Sequence, residues 1–366
     1  MIDTTGGQDS EELRNKTRII PFVFKGQTGE YFRIWIVNIV LTILTVGIYS
    51  AWAKVRTHRY FYGSTSLAGR SFDYTADPLA ILKGRIIATV AFIIWYFATT
   101  FFPLTSVVLV PLLLLALPWV IVRSLKFRAF HTRYRNLRFH FYGSKWEAAS
   151  AYLLFPLLTI FTLGLLWPYV AYLRAKFKMD NLGFGDRRSS FFGKVGGYYS
   201  IWLTLFLYFV ALIVVLFVFM MGSAFFGSDG SLVAEDVTHQ LPPLQLIGAG
   251  LLYLVVIFAV YVFPPAYIKA MEGNYLLNNS EIAGYLPHST MKVGELFYIY
   301  ATNIVGIVLS LGLAIPWAMI RAARYRLEHT ALEVGDNLDS ISAGDRYGID
   351  ATGEELGEVF DIDLGF

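Results

Sequence analysis

The stretch GEYFRIWIVNIVLTILTVGIYSAWAKVRTHRY, Gly29–Tyr60, is apolar for most of its length and closes on a run of bases. Downstream, Gly294–Tyr325 reads GELFYIYATNIVGIVLSLGLAIPWAMIRAARY, and aligned without gaps the two share 14 of 32 positions. The shared residues include Glu30/Glu295, Asn38/Asn303, Gly47/Gly312, Trp52/Trp317, Arg56/Arg321 and Arg59/Arg324. A weaker third copy lies between them: Glu147 precedes Gly164 by 17 residues, the spacing of Glu30 to Gly47 and of Glu295 to Gly312. Two residues before each glycine stands a hydroxyl, Thr45, Thr162 or Ser310.

The text around the copies extends the pattern. FVFKGQTGE at Phe22–Glu30 matches FHFYGSKWE at Phe139–Glu147 in its Phe-x-Phe-x-Gly start, and the alternating aromatics predict a short strand leading into each helix. STSLAGRSFDY, Ser64–Tyr74, reads as a hairpin turning at Ala68-Gly69. The organisation expected is a membrane domain over 19–327, with repeat motifs at 22–74, 139–186 and 287–334 separated by helix pairs at 79–122 and 198–268. A polar N-terminal tail (1–18) and an acidic, disordered tail (328–366) flank it.

Composition sets the class. Of 366 residues 56% are hydrophobic and only 16% charged, too apolar a balance for a soluble chain. Apolar runs at 31–53, 86–102, 104–122, 148–173, 198–222, 244–268 and 295–320 are each about 17–25 residues long, as spanning helices require. The first twenty residues lack the apolar core of a cleaved signal. With no cysteine, thiolate catalysis and disulfides are excluded, and the scattered histidines form no HExxH pair. The tail from 328 holds 11 of the 27 acids and one base, leaving 29 bases against 16 acids upstream. In a membrane chain that excess points to loops held on the cytoplasmic side and away from nucleic acid.

Charge also decides topology. If all seven runs crossed with the C-terminus inside, the loop carrying Arg174, Lys176, Lys178, Arg187, Arg188 and Lys194 would face outward, and the acidic stretch 223–243 inward. Both placements are backward. If the three copied segments enter and leave on one face, and only the two plain pairs cross, every Lys and Arg lies on the cytoplasmic side with both termini. The expected fold is therefore an all-α polytopic membrane protein with internal repeats: four spanning helices, three re-entrant or broken helix motifs and small cytoplasmic β elements.

Local chemistry supports a break in each copy. Gly164 and Gly312 are followed at the fourth position by Pro168 and Pro316, the signature of one helix ending and another beginning, whereas the first copy has Ala51 there. Backbone groups freed at a break are expected to be buried in protein or to line a wet cavity. In a straight helix Glu30 and Arg56 would stand roughly 39 Å apart; bent near Gly47, the segment returns both to one interface. There Glu30 is expected to pair with Arg56 or Arg59, and Glu295 with Arg321 or Arg324.

Asn38, Thr42 and Thr45 fall on one helix face, and Asn303 and Ser310 repeat part of that stripe. Such residues bond between helices or line a path, so the candidate path or break residues are Asn38, Thr42, Thr45, Gly47, Thr162, Gly164, Asn303, Ser310 and Gly312. Trp52, Trp119, Trp167 and Trp317 fit interfacial anchors. RSLKFRAFHTRYRNLRF, Arg123–Phe139, interleaves bases and aromatics in a way suited to anionic lipid headgroups. No P-loop, nucleophile elbow or metal-binding motif occurs, so no enzyme activity, cofactor or metal is expected.

The block GEYFRIWIVNIVLTILTVGIYSAWAKVRTHRYFYGSTSLAGRSFDYTADPLAILKGR closely resembles the YjgN-like family of bacterial inner-membrane proteins of unknown function, a resemblance extending over about residues 20–335. It implies a bacterial inner-membrane location and brings no substrate, cofactor or catalytic residue. The functional expectation is a channel-like or transporter-like homo-oligomer for an unidentified solute or lipid. The alternative is a non-transporting protein that organises lipids from the cytoplasmic leaflet.

Overall fold

The computed structural model describes residues 18–226 and 243–334. Among them the chain forms five units of one construction, each a strand, two antiparallel helical arms and a returning strand. The first unit runs β1 (Arg18–Phe24), Thr28–Leu44, Ser50–Ser64 and β2 (Thr65–Leu67); the second runs β3 (Arg70–Tyr74), Pro78–Phe101, Ser106–His131 and β4 (Thr132–Tyr134). In the third, β5 (Leu137–Phe141) leads to Lys145–Ala149, a π turn Ser150–Leu154 and Phe155–Phe161, then Trp167–Asp180 and β6 (Leu182–Phe184). The fourth has β7 (Arg187–Arg188), β8 (Ser190–Phe191), Val195–Phe226, then Pro243–Ile257 continuing through a π turn into Phe263–Asn278, and β9 (Ser280–Glu281). The fifth has β10 (Leu286–Ser289), Val293–Leu309, Ile315–Glu328 and β11 (Thr330–Val334).

Each incoming strand changes partner along its length. In β1, Arg18–Pro21 pair with β11 and Phe22–Phe24 with β2; in β3, Arg70 and Ser71 pair with β2 and Phe72–Tyr74 with β4. The third and fourth units repeat this, and Ile282 bridges Tyr285 between the last two. Because β11 returns to β1, the strands follow one another around a ring, paired without a break from β10 through β11 and β1 to β7 and completed by the separate β8-β9 pair and the Ile282–Tyr285 bridge. Tight turns at Ala68-Gly69, Arg135-Asn136 and Ala283-Gly284, all with positive φ, join consecutive units.

The same hydrogen bond recurs in all five units. The N–H of Lys25, Thr75, Tyr142, Phe192 and Thr290 donates to the carbonyl of Ser64, His131, Asn181, Asn279 and His329, at 2.8–3.0 Å. Three junctions place a glycine next, and a Cβ on Gly26, Gly143 or Gly193 would come within 2.5, 2.4 or 2.2 Å of the ring of Phe24, Phe141 or Phe191. Helix starts are satisfied in two complementary ways. Where the N-cap is Gln27, Lys194 or Lys292, a tyrosine hydroxyl of the second arm (Tyr60, Tyr275 or Tyr325) accepts from that residue's N–H at 2.7–2.8 Å. Where that tyrosine position is Phe127 or Phe177, the cap is Asp77, accepting from Leu79, or Ser144 in a capping box with Glu147.

One apolar cluster gathers strand residues from around the ring. Phe22 stacks on Phe72 (6.1 Å between ring centres), Phe72 on Tyr134 (4.7 Å), and Tyr134 and Phe139 lie on Phe184 (6.1 and 4.7 Å). Leu67, Tyr285, Leu332 and Val334 join them, together with Ile121, Leu125 and Ala129 of the second unit. Around this floor, the second arm of every unit packs on the first arm of the next, and the fifth packs on the first.

Four helices are long and apolar enough to cross a membrane: Pro78–Phe101, Pro103–His131, Val195–Met221 and Gly250–Asn278. They belong to the second and fourth units; the arms of the other three are shorter.

Three expectations are corrected. The chain is not all-α, because its short strands join into a nine-stranded and a two-stranded sheet that organise every helix pair. The helix pairs do not stand apart from the copied segments; all five units share the junction bond. The boundary at 328 fails as well, since Thr330–Val334 is a strand paired on both sides, with Leu332 and Val334 turned into the core. Residues 1–17 and 335–366 lie outside the described residues.

Candidate functional site

The copied segments all turn where the glycines stand. After first arms ending at Leu44, Phe161 and Leu309, the backbone enters the left-handed region at Val46 and Gly47 (φ 50° and 89°), Leu163 and Gly164 (51° and 90°), and Leu311 and Gly312 (52° and 92°). Each turn carries the two bonds of a Schellman stop: Gly47 N–H to Thr42 O (2.8 Å) and Val46 N–H to Ile43 O (3.1 Å), with the same pairs at Gly164/Thr159 and Gly312/Ile307. The hydroxyl then serves the next helix: Thr45 Oγ1 accepts from Tyr49, Thr162 Oγ1 from Leu166 and Ser310 Oγ from Ala314, at 2.9, 3.3 and 2.8 Å.

Six consecutive backbone N–H groups, 45–50 in the first copy, are thereby bonded inside the turn. The expectation that these breaks need protein cover or a wet cavity is corrected: the turn supplies its own acceptors. It also explains why the first copy turns without proline. The side chains at the tips are apolar and bare, Val46 being 92% exposed, Leu163 94% and Leu311 93%.

The polar stripe holds the arms together. Asn38 Nδ2 donates across the hairpin to Ala53 O (3.4 Å), and Asn303 Nδ2 to Ala318 O (3.2 Å). Thr42 Oγ1 donates to Asn38 O and Thr45 Oγ1 to Leu41 O, at 2.6 and 2.7 Å.

The expected ion pairs do not form among the described residues. Glu30 lies at its helix start, 3.2 Å from the Tyr60 hydroxyl. Glu295 pairs with Lys292 at 2.8 Å, which holds its carboxyl below the usual carboxylate range, and faces His329 at 3.6 Å. The tyrosine cap stands where the arginine was expected, and the arginines turn sideways. Arg59 donates to the carbonyls of Tyr74 and Ala76 in the second unit, and Arg324 to Gly26 O of the first at 2.9 Å. Arg321 lies between the rings of Tyr298 and Trp317 with Nη1 on Thr302 and Asn303, whereas Arg56 is exposed.

Two clefts remain. One, of about 540 Å³, lies on the sheet between Arg70, Ser71, Asp73, Arg133, Arg135 and Asn136. The other, of about 300 Å³, opens between the arms of the first unit and is lined by Trp35, Asn38, Thr42, Ala53, Lys54 and Thr57 among others. Asn38 is 5% exposed, and its Oδ1 has no hydrogen-bond donor.

Residues 19–359 match the family described as bacterial protein of unknown function (DUF898). The chain belongs to the DUF898 family. This chain is also 35% identical over 126 residues to "Inner membrane protein YjgN" of Escherichia coli (strain K12), and 33% identical over 123 residues to the protein of that name from Salmonella typhimurium. Those matches cover 33% and 32% of this chain and 30% of each relative, so less than a third of the curated relatives' length is spanned. No solved structure matches.

In this DUF898 chain one functional position escaped sequence reasoning: the residue six places before each returning strand. Arg59, Asn274 and Arg324 occupy it and each reaches the next unit's junction, Asn274 Nδ2 donating to Met291 O at 2.7 Å. In the third unit Lys176 pairs with Asp180, whose Oδ1 accepts from Phe191 N–H of the fourth. Arg59 and Arg324 were visible as identities; Asn274 became comparable only through the strand that follows it.

Proposed function

We propose that this protein is an integral inner-membrane protein that organises lipid in the cytoplasmic leaflet, using the first, third and fifth units as wedges that enter the bilayer and turn around inside it. The observation that carries the reading is the tip. A turn whose N–H groups are internally bonded and whose side chains are bare valine and leucine suits hydrocarbon and is poorly suited to water. Length agrees: a 17-residue first arm such as Thr28–Leu44 reaches about 25 Å, roughly 10 Å short of the 24-residue Pro78–Phe101 at 1.5 Å per residue.

Charge supports the orientation. No Lys or Arg falls within 86–122 or 195–268, so among the described residues the long helices carry their bases only at the ends nearest the strands, and the positive-inside rule favours the cytoplasm for that side. The relatives' name, inner membrane protein, agrees with that location. Bare apolar flanks of the four long helices fit self-association as well as lipid, and the proposal includes a homo-oligomer. It involves no catalytic step.

A transporter-like reading keeps one specific support, the cleft at Asn38 between the arms of the first unit. Reconstitution separates the two. The leaflet reading expects vesicles that stay sealed to ions and small solutes while their shape or lipid order changes with protein density. Solute flux that is abolished by Asn38→Leu, with lipid order unchanged, would favour transport instead.

A further inference from the structure

We infer that the cleft on the strand ring at the second unit binds a small, water-soluble phosphate monoester that also carries hydroxyls, such as a phosphorylated sugar or polyol. The site is separate from the tips and goes beyond the leaflet reading above.

The five units are built alike, so the second can be compared with the others position by position. Two residues after the junction carbonyl the other units have Ser66, Gly183, Glu281 and Ala331, whereas the second has Arg133. The tight turn that follows is Ala68-Gly69 after the first unit and Ala283-Gly284 after the fourth, but Arg135-Asn136 here, with Arg135 at φ 49°. Two residues before the junction N–H the fifth unit has His288, engaged by Glu333 at 2.6 Å. The second has Asp73 there, opposite Arg133 in the strand register. The same strand begins with Arg70 and Ser71. These six residues line the cleft of about 540 Å³, well inside the range of about 300–1,000 Å³ usual for small-molecule sites.

Two of the cations are available to a ligand. Arg70 is exposed and, among the described residues, its guanidinium has no partner. Arg133 is half-buried with only its Nε enclosed, and its two terminal nitrogens likewise have no partner among the described residues. Ser71 and Asn136 are exposed beside them. Arg135 lies over the Tyr134 ring at 5.7 Å, so it adds charge to the wall and is assigned no contact.

The wall selects the ligand. Three guanidiniums against one carboxylate leave it at +2, which a phosphate monoester of about −1.5 to −2 at pH 7 balances. Guanidiniums match phosphate oxygens two at a time, and Ser71 and Asn136 can donate to the oxygens that remain. Asp73 as a carboxylate only accepts, so it takes a hydroxyl from the rest of the ligand. Every lining residue is polar or charged, and neither an acyl chain nor a nucleobase finds an apolar surface there.

The test is isothermal titration calorimetry on the full chain in detergent at low ionic strength. The probes are glucose 6-phosphate, glycerol 3-phosphate, inorganic phosphate, glucose, and phosphatidic acid in mixed micelles. The wild-type protein is expected to bind the two phosphorylated polyols saturably, more tightly than inorganic phosphate, and glucose not at all. Arg70→Gln and Arg133→Gln each weaken that binding about 10-fold or more. Arg18→Gln, at an exposed arginine of the same ring outside the cleft, leaves it unchanged. Asp73→Asn erases the preference over inorganic phosphate without weakening phosphate itself. Thermal melts check each variant, and Arg70→Gln, at an exposed strand start, carries the test if Arg133→Gln fails to fold.

Absence of saturable binding by both phosphorylated polyols overturns the site, as does binding that survives both arginine variants or falls equally with Arg18→Gln. Binding of phosphatidic acid alone overturns the soluble ligand in favour of a lipid headgroup. None of the soluble probes requires a bilayer, so a wet Val46 tip would sink the leaflet reading and leave this site standing, and an empty cleft would do the reverse.

Discussion

Replacing Val46 by asparagine reverses sign between the two possible surroundings of the turn. Val46 is a β-branched residue held at φ 50° with 92% of its surface bare, so its energy is set by backbone strain and by whatever medium bathes it. In water, asparagine tolerates the left-handed backbone better and relieves roughly 1 kcal/mol. In hydrocarbon, that relief is outweighed by about 1.5–3 kcal/mol of lost apolar transfer and about 2 kcal/mol or more for an unpaired amide. The net expectation is a loss of roughly 3 kcal/mol by those same magnitudes. Reversible unfolding in mixed micelles, followed by intrinsic fluorescence, measures it, with Leu163→Asn and Leu311→Asn as parallel cases. A Val46→Asn protein as stable as wild type, or more stable, refutes the reasoning, because only a wet tip gains from the exchange.

Other expectations concern the ring. Arg324→Met removes the charged donor to Gly26 O across the closing junction and is expected to cost about 1.5–3 kcal/mol, while Arg56→Met stays within about 0.5 kcal/mol; chemical denaturation compares the two. Tyr325→Phe leaves Lys292 N–H without its hydroxyl acceptor and should cost about 1 kcal/mol, as should Ser144→Ala in the capping box. Gly143→Ala forces a methyl to 2.4 Å from the Phe141 ring and should lower stability by about 1–3 kcal/mol; a thermal melt that does not move would show the junction to be looser than described.

Much of this was legible in the sequence, and the limits have physical causes. The breaks at Gly47, Gly164 and Gly312 were readable because a helix stop is local: a left-handed glycine, a hydroxyl two residues earlier and, in two copies, a proline at the next start. The turn at Ala68-Gly69 was readable for the same reason. The ring was not, because strands of two to seven residues are too short for periodicity to register, and β1 meets β11 only in space. The likeness of the fourth unit to the first is confined to short stretches, Phe191 and Gly193 matching Phe24 and Gly26, Gly196, Tyr198, Ile201 and Trp202 matching Gly29, Tyr31, Ile34 and Trp35, and Tyr275 matching Tyr60, and was hidden by the long apolar arms that follow.

Composition misled at the chain's end, where Thr330–Val334 sits in acidic surroundings yet alternates Leu332 and Val334 inward. Charge misled at the candidate site. Opposite signs predicted carboxylate partners, but three of the arginines found backbone carbonyls and aromatic faces, which no pairing rule based on charge anticipates.

The most direct test of the account is the depth of the three tips. The chain has no cysteine, so single Val46→Cys, Leu163→Cys and Leu311→Cys variants can each carry a spin label in reconstituted bilayers without background. The account expects all three labels to be accessible to oxygen and shielded from aqueous nickel chelate, with no reaction of the thiols toward an impermeant reagent on either side. Labels accessible to the chelate, or thiols that react from the outside, would mean that the segments cross the membrane or lie in water, and the wedge would be lost.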